Sequence, residues 1–441
     1  MEAAKMKSNL MKIISPSIII AVLTAGRLFA WGGESNPRAM AMGGAYNALA
    51  FGYEAPSYNP ANLGLSCNNN KFTINFFSIG VNVRNNSFSL KDYNDYMGEH
   101  LTDDDKNTIL EKIPDKGMRI DALAEATALS ISYNRFALNI HSIGASRANI
   151  DKDPIELLFF GNAVKPEVTF EDISGEGCAF VDISLSYGYP LSFESIRPFL
   201  GYKELSVGGT FHYLRGLTYF DIISAEGNFT TTDTSVISEG TFIVQTAMGG
   251  AGFALDLGAA MVLDNYLVFD DDVVVSVSLK NLLSSISWNK DTENLQLDFA
   301  INDFNYDNLT DSLLSDSLIE SSDTTIAISS FSTNLPVVLR IGAAASFKKI
   351  KWSFDWEQAI TSGVSQSTTP RLSLGGEYKP AKFLPLRAGC SIGGGRDSMF
   401  SVGFGLHFSP FKFDLAFVNN GSILPGRSKG LIFAAAMGFW F

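Results

Sequence analysis

The residues of this chain best suited to catalysis or metal binding are four histidines and three cysteines. His100, His141, His212 and His407 lie far apart, and no two have the spacing of a zinc-binding helix. No His-Glu-x-x-His occurs. Cys67, Cys178 and Cys390 are odd in number and widely separated, which suits neither a metal knuckle nor a disulfide framework. A serine-hydrolase elbow is not expected, and Gly393-Gly394-Gly395 before Arg396-Asp397 reads as a turn and not a phosphate loop. Asp103–Asp105 and Asp270–Asp272 could attract a divalent cation, but neither has the alternating oxygen ligands of a calcium loop. They read as a solvated helix start and a solvated turn. No catalytic residue, metal ligand or cofactor is therefore assigned, and His212 and His407, on the small or polar faces of their strands, read as lumen residues.

Those faces belong to strands. Val273, Val275, Val277 and Leu279 alternate with Ser276, Ser278 and Lys280, and Trp352, Phe354 and Trp356 alternate with Ser353, Asp355 and Glu357. Val402, Phe404, Leu406 and Phe408 alternate with Ser401, Gly403, Gly405 and His407. A strand's side chains have a period of two, so one face can meet lipid while the other meets a lumen. The chain ends on such a strand, Gly430 to Phe441, with Leu431, Phe433, Ala435, Met437, Phe439 and Phe441 on one face and Gly430, Ala434, Ala436 and Gly438 on the other. The pattern predicts an all-β fold: a transmembrane antiparallel β-barrel of about fourteen strands, at 72–85, 120–134, 136–148, 178–190, 203–220, 241–263, 272–288, 334–347, 350–361, 370–379, 384–393, 398–409, 411–419 and 429–441.

The connections support that count. With the first strand running outward from the periplasm, the long connections 86–119, 149–177, 221–240 and 289–333 all fall outside. The connections at 135, 191–202, 264–271, 348–349, 380–383 and 410 fall inside and are shorter, as outer-membrane barrels require. Strands five and six are expected to extend into a tall hairpin over 219–240. Thr102 before Asp103–Asp105, and Asp153 before Pro154, predict short loop helices. The polar segment 303–325 reads as a mobile surface loop. Trp288, Trp352, Trp440 and Tyr378 are expected in the interfacial aromatic girdles.

At the N-terminus, Lys5, Lys7 and Lys12 precede an apolar run over 13–25, which is too short to span a bilayer and reads as a secretory signal peptide over 1–30. Leu28-Phe29-Ala30 lacks the usual small residue three positions before the cut, and Met6 or Met11 is an alternative start. Removing Lys5, Lys7, Lys12 and Arg27 together with Glu2 takes the formal charge from −13 to −16, and no basic patch for nucleic acid remains.

Between the signal and the barrel at 71–441 lies a segment, 31–70, that does not alternate. It contains Asn36-Pro-Arg-Ala-Met-Ala-Met-Gly-Gly-Ala-Tyr46 and Tyr58-Asn-Pro-Ala-Asn-Leu-Gly64. Small residues there permit the close packing that a luminal plug needs. Arg38, Gly43, Gly44, Asn59, Pro60 and Ala61 form the plug motif. Here the sequence resembles the FadL/PorV group of outer-membrane proteins, whose members carry an Arg-Ala-Met-Gly-Met-Gly-Gly-Ala-like stretch and an Asn-Pro-Ala element; Ala41 stands where the group often has Gly. Segments 109–117, 249–259 and 279–288 resemble an uncharacterised, mainly Bacteroidota barrel family of unknown function. The fatty acid transporters imply a fourteen-stranded Gram-negative barrel with an N-terminal hatch, passing small hydrophobic molecules across the bacterial outer membrane. The PorV-type relatives imply the alternative, an adaptor that holds a secreted client protein. Expected partners are outer-membrane lipid, the barrel-assembly machinery reading the terminal aromatic strand, and either the hydrophobic ligand or the client, with no nucleic acid.

Overall fold

The computed structural model describes residues 35–69, 71–162, 165–193, 201–232, 235–263, 272–305, 319–361 and 368–441. The proposed signal peptide, its cut site, Asp270 and Asp271 lie outside the described residues. Eighteen strands are numbered in chain order, and fourteen of them form a closed wall. These are β1 (Phe72–Asn85), β2 (Met118–Tyr133), β3 (Phe136–Ile150), β5 (Ser174–Leu191), β6 (Tyr202–Thr231), β7 (Ser235–Leu263), β8 (Val273–Trp288), β12 (Val338–Phe347), β13 (Ile350–Ala359), β14 (Arg371–Ala381), β15 (Leu384–Gly393), β16 (Arg396–Phe408), β17 (Phe411–Asn420) and β18 (Gly430–Trp440). Each pairs antiparallel with the next in this order. β18 closes on β1 from Thr73↔Trp440 to Arg84↔Gly430, and the Phe441 N–H donates to the Phe72 carbonyl at 2.9 Å. All fourteen strands expected from the alternation are present.

The wall inverts the burial pattern of a water-soluble sheet. On β13, Phe354 is 47% exposed while Asp355 is 4% exposed. Val277, Val402, Phe417, Phe433 and Leu431 are likewise exposed, and Ser276, Ser278, Ser401, Asp414 and Lys280 are buried. An apolar outer face over a polar inner face is the arrangement a bilayer demands of a closed barrel. Trp352 and Tyr378 face outward as girdle residues would. Trp288 and Trp440 do not. Trp288 is fully buried among inward side chains, and Trp440 stacks on Phe51 at 5.0 Å between ring centroids. Each sits one position out of phase with the lipid face of its strand.

The other four strands build on the end with the long connections. β4 (Glu167–Thr169), β9 (Glu293–Asn305), β10 (Ile319–Ala327) and β11 (Phe331–Thr333) add to extensions of the wall. The β6–β7 hairpin rises as expected and carries β4 on one side and β9, then β10, on the other. The loop expectation for 303–325 is thus corrected: its ends belong to β9 and β10, and 306–318 lies outside the described residues. Leu295, Leu297, Phe299 and Ile301 of β9 do alternate with Gln296, Asp298 and Ala300, whereas β10 carries Ser, Thr and Asp on both faces. The expected strand at 334–347 begins only at Val338, because 334–337 turns inward and buries Leu335.

Helix α3 (Leu90–Tyr96) was not foreseen; its Ser89 cap closes a box with Asp92. α4 (Asp103–Glu111) is capped by Thr102, whose hydroxyl and N–H together hold the Asp105 carboxyl below its usual pKa. α5 (Lys152–Phe160) is capped by Asp151 and not Asp153. Two shorter helices, α1 (Pro37–Ala41) and α2 (Ala55–Tyr58), belong to the N-terminal segment. Among the described residues no helix is long and apolar enough to cross a membrane.

Candidate functional site

Residues 35–69 touch the buried faces of strands on opposite sides of the closed wall, and a segment that does so lies within the lumen. Its local structure follows from its sequence. Asn36 caps α1 by accepting from the N–H groups of Arg38 and Ala39, with Pro37 at the first turn. Asn59 accepts from the Ala61 N–H ahead of a short 3₁₀ turn over Pro60–Gly64. Between them the chain folds around Tyr46 and Tyr58, packed edge to face at 5.2 Å.

On the β12–β18 side, the N–H groups of Tyr46 and Asn47 both donate to Asp355 Oδ2 at 2.8 Å. The Ser401 hydroxyl donates to the Ala41 carbonyl at 3.0 Å and accepts from the Gly43 N–H at 2.9 Å. Arg38 pairs with Glu54 at 2.9 Å and lies over the rings of Tyr46 and Trp440. Its second nitrogen is 3.8 Å from Glu377, which Arg387 joins to Asp414 and His407.

On the opposite side, the Asn59 amide donates to the Ala259 and Val277 carbonyls at 3.0 and 3.1 Å, bridging β7 and β8. The Ser206 hydroxyl donates to the Ala61 carbonyl at 2.7 Å. The Ser278 hydroxyl donates to Asn47 Oδ1 at 3.0 Å, and the Asn47 amide donates to Ser276 Oγ at 2.9 Å. The buried Lys280 ammonium donates to the Ser57 carbonyl at 2.9 Å while pairing with Asp256 at 2.9 Å. Asp256 also meets His212 at 3.1 Å, and His212 meets Asp182 at 2.8 Å. A belt of charged side chains thus crosses β5 to β8 and ends on the segment's backbone.

The six motif residues fall into one body but play different parts. Arg38 is the charged anchor, and Asn59 is the polar bridge. Gly43 has φ +69°, and a Cβ there would meet the Cys390 carbonyl at 2.6 Å. Gly44 has φ +86° and lies beside the Arg371 guanidinium. The 59–64 stretch lies against three wall residues without side chains, Gly258 at Asn59 and Pro60, Gly208 at Pro60 and Ala61, and Gly188 at Leu63 and Gly64, where an added Cβ would overlap the segment. Those glycines, with Asp355, Ser401 and Lys280, are seat residues that sequence reasoning missed. The available signal was a glycine on the inward phase of neighbouring strands.

A Gly-x-Ser-x-Gly spacing occurs at Gly389-Cys390-Ser391-Ile392-Gly393. It lies within wall strand β15, with Ser391 buried, and not at the strand-to-helix turn that a nucleophile elbow needs. Among the described residues no group of three or more His, Cys, Asp or Glu side chains is placed to hold a metal ion. His100 is exposed, and the three cysteines are free.

Two small cavities, of about 40 and 30 Å³, lie next to the segment, one beside Arg38, Asn75 and Ser130, the other beside His141, Asp182 and Lys280. Towards the long-connection end, Leu123, Ile143, Phe180, Leu214, Ile286 and Trp288 join Leu335 in an apolar inner cluster.

Solved structures with a similar course include the Ralstonia pickettii toluene transporter TbuX, at 13% identity and TM-score 0.47, covering 92% of this chain and 97% of that one. The P. putida toluene transporter TodX is 12% identical, with TM-score 0.45 and coverages of 91% and 95%. The CymD monoaromatic hydrocarbon channel is 12% identical, with TM-score 0.46 and coverages of 93% and 97%. Likeness at this level carries no function, and the barrel stands on its own strand ladders. No curated protein matches the sequence. Residues 60–417 match DUF5723, a family of unknown function, and with most of its length inside that match the chain belongs to this family.

Proposed function

We propose that this protein is an outer-membrane barrel that lets small hydrophobic molecules cross, held shut by its N-terminal segment acting as a plug. One observation carries the reading: residues 35–69 bridge opposite inner walls, from Asp355 and Ser401 to Ser206 and Lys280. A segment placed there would block the lumen, and two cavities beside it are water-sized. Passage therefore requires the segment to move. The apolar inner cluster around Trp288 and Leu335 supports a hydrophobic cargo, because a polar solute gains nothing from that surface. The inverted faces of the wall support membrane insertion, and the positions of the long connections support an outer-membrane orientation with the C-terminus in the periplasm. In this reading residues 1–30 are the removed signal and Phe441 ends the strand read by the assembly machinery.

The test is deletion of residues 36–62. The wall hydrogen bonds come from β1 onward, so the shortened protein should still insert and keep heat-modifiable mobility on gels. Its flux of small solutes in liposomes should rise. Unchanged flux in a correctly folded deletion would refute the plug and leave a barrel that works only at its surface.

A further inference from the structure

One described cavity lies outside the lumen. It is an open groove of about 1030 Å³ on the sheet β4-β6-β7-β9-β10 that stands beyond the wall at the long-connection end. In register, Glu226, Thr241, Asp298 and Ser322 form one row across β6, β7, β9 and β10. Asn228, Glu239, Ala300 and Glu320 form the next row on the same face. Glu171 also lines the groove, so five carboxylates surround it with no lysine or arginine among its lining. The imbalance extends beyond the lining: stretches 165–176, 220–246 and 290–333 contain seventeen Asp and Glu but only Lys165 and Lys290 as cations. Lys165 is already engaged by Asp153 and Glu156. The lumen is different, for there Asp256, Glu357, Glu377 and Asp414 each meet a cation.

A second observation concerns the backbone. β10 pairs with β9 along one edge, and no ladder among the described residues occupies its other edge. Its sequence, Ile-Glu-Ser-Ser-Asp-Thr-Thr-Ile-Ala, contains neither proline nor lysine, and its two charges, Glu320 and Asp323, are both acidic. Proline and lysine ordinarily protect an exposed edge from pairing with another chain. An edge guarded by acidic side chains alone offers backbone donors and acceptors to an extended cationic chain, which binds by continuing the sheet.

From these we infer that the projecting sheet docks an extended, lysine- or arginine-rich segment of a partner protein, paired with β10 and laid over the acidic rows. The edge selects an extended backbone. Glu320, Asp298 and Glu239 select cations on the side chains that point to that face, since like charges opposite one another repel. A second copy of this chain does not fit, because its own projecting sheet carries the same negative charge. The surface lies outside the closed wall, so the inference is independent of whether the lumen conducts.

The experiment uses the full protein in lipid nanodiscs and a ten-residue peptide of alternating lysine and threonine as probe. Binding is expected at about 50 mM salt and should weaken at least tenfold near 300 mM, where the Debye length shortens. Glu226→Lys/Glu239→Lys/Glu320→Lys should abolish it. Asp103→Lys/Asp104→Lys/Glu111→Lys makes the same charge change on helix α4 and should leave the affinity within about threefold. The same peptide N-methylated along one edge should lose at least tenfold, about 1.4 kcal/mol or more. Heat-modifiable mobility checks that each variant is folded. No binding at low salt, equal losses from the two variant sets, or equal affinity of the N-methylated peptide would each overturn the inference.

Discussion

Replacing Lys280 with methionine should open the barrel without dismantling it. The ammonium makes two kinds of contact: an ion pair with Asp256 within the wall, and a hydrogen bond to the Ser57 carbonyl of the segment, both 2.9 Å. Losing a charge-assisted hydrogen bond costs about 1.5–3 kcal/mol. If that loss falls on the seated state alone, the displaced population rises about tenfold to a hundredfold. The wall suffers separately. Stranding one member of a buried pair costs about 3–5 kcal/mol, and the lower figure applies because Asp256 keeps His212 at 3.1 Å and the Asn281 N–H at 2.7 Å. The two effects part in a second variant. Lys280→Met/Asp256→Leu removes both charges, so stability in a denaturant titration should return towards the parent while solute flux into liposomes stays high. Asp256→Asn alone should lower stability and leave flux near the parent, since Lys280 still holds Ser57. A folded Lys280→Met protein with parental flux would refute the latch. So would an Asp256→Asn protein that leaks as much as Lys280→Met.

Other substitutions test the seat and the wall. Gly43→Ala places a Cβ in the left-handed region, at a cost of about 1–2 kcal/mol, and against the Cys390 carbonyl as well; flux should rise with barrel mobility on gels unchanged. Phe354→Arg on the lipid face should destabilise the barrel by about 2–4 kcal/mol near the bilayer midplane, as read by unfolding titration. Asp355→Asn should cost the wall less, because an amide oxygen can still accept from Tyr46 and Asn47. Deleting Phe439–Phe441 removes the Phe441 N–H bond to Phe72 that ends the closing ladder, and should reduce the yield of heat-modifiable protein in membranes.

The wall was legible because alternation is a local property. Each spanning strand carries its own record of which face meets lipid, so Phe354 and Asp355 are told apart by their neighbours alone. The projecting sheet was legible only in part: β9 alternates through Leu295, Leu297, Phe299 and Ile301, but its partner β10 does not, since neither Ser322 nor Thr324 marks a side. Trp288 and Trp440 were misplaced for a related reason: tryptophan suits both a lipid interface and a packed lumen, and only its phase in the strand distinguishes them. The motif at Arg38 and at Asn59–Ala61 was visible, but its partners were not. Ser206, Lys280 and Asp355 lie 145 to 309 residues from the backbone groups they hold, and nothing local links Ser401 to Gly43.

The chemistry of the seat bears on whether such a plug can move. Many of its anchors are hydrogen bonds between wall side chains and segment backbone: the Tyr46 and Asn47 N–H groups donate to Asp355, the Ser206 hydroxyl to the Ala61 carbonyl, and the Lys280 ammonium to the Ser57 carbonyl. Water can replace each of these once the lumen opens, so the net worth of a neutral one is about 1 kcal/mol and not its full strength in a dry interior. The wall differs, because its ladder bonds face lipid on one side and have no such substitute. Part of the segment's apolar surface, around Met42, Tyr46 and Tyr58, packs on itself and can travel with it. Met40 and Ala41 pack instead on Met399, Val418 and Ile432 of the wall, and Ala61 and Leu65 on Ala260 and Val262, so leaving the seat also exposes these small apolar patches. A body that carries part of its own core, seated on polar contacts that water can take over and on a few small apolar ones, can still leave its seat at lower cost than a strand can leave the wall.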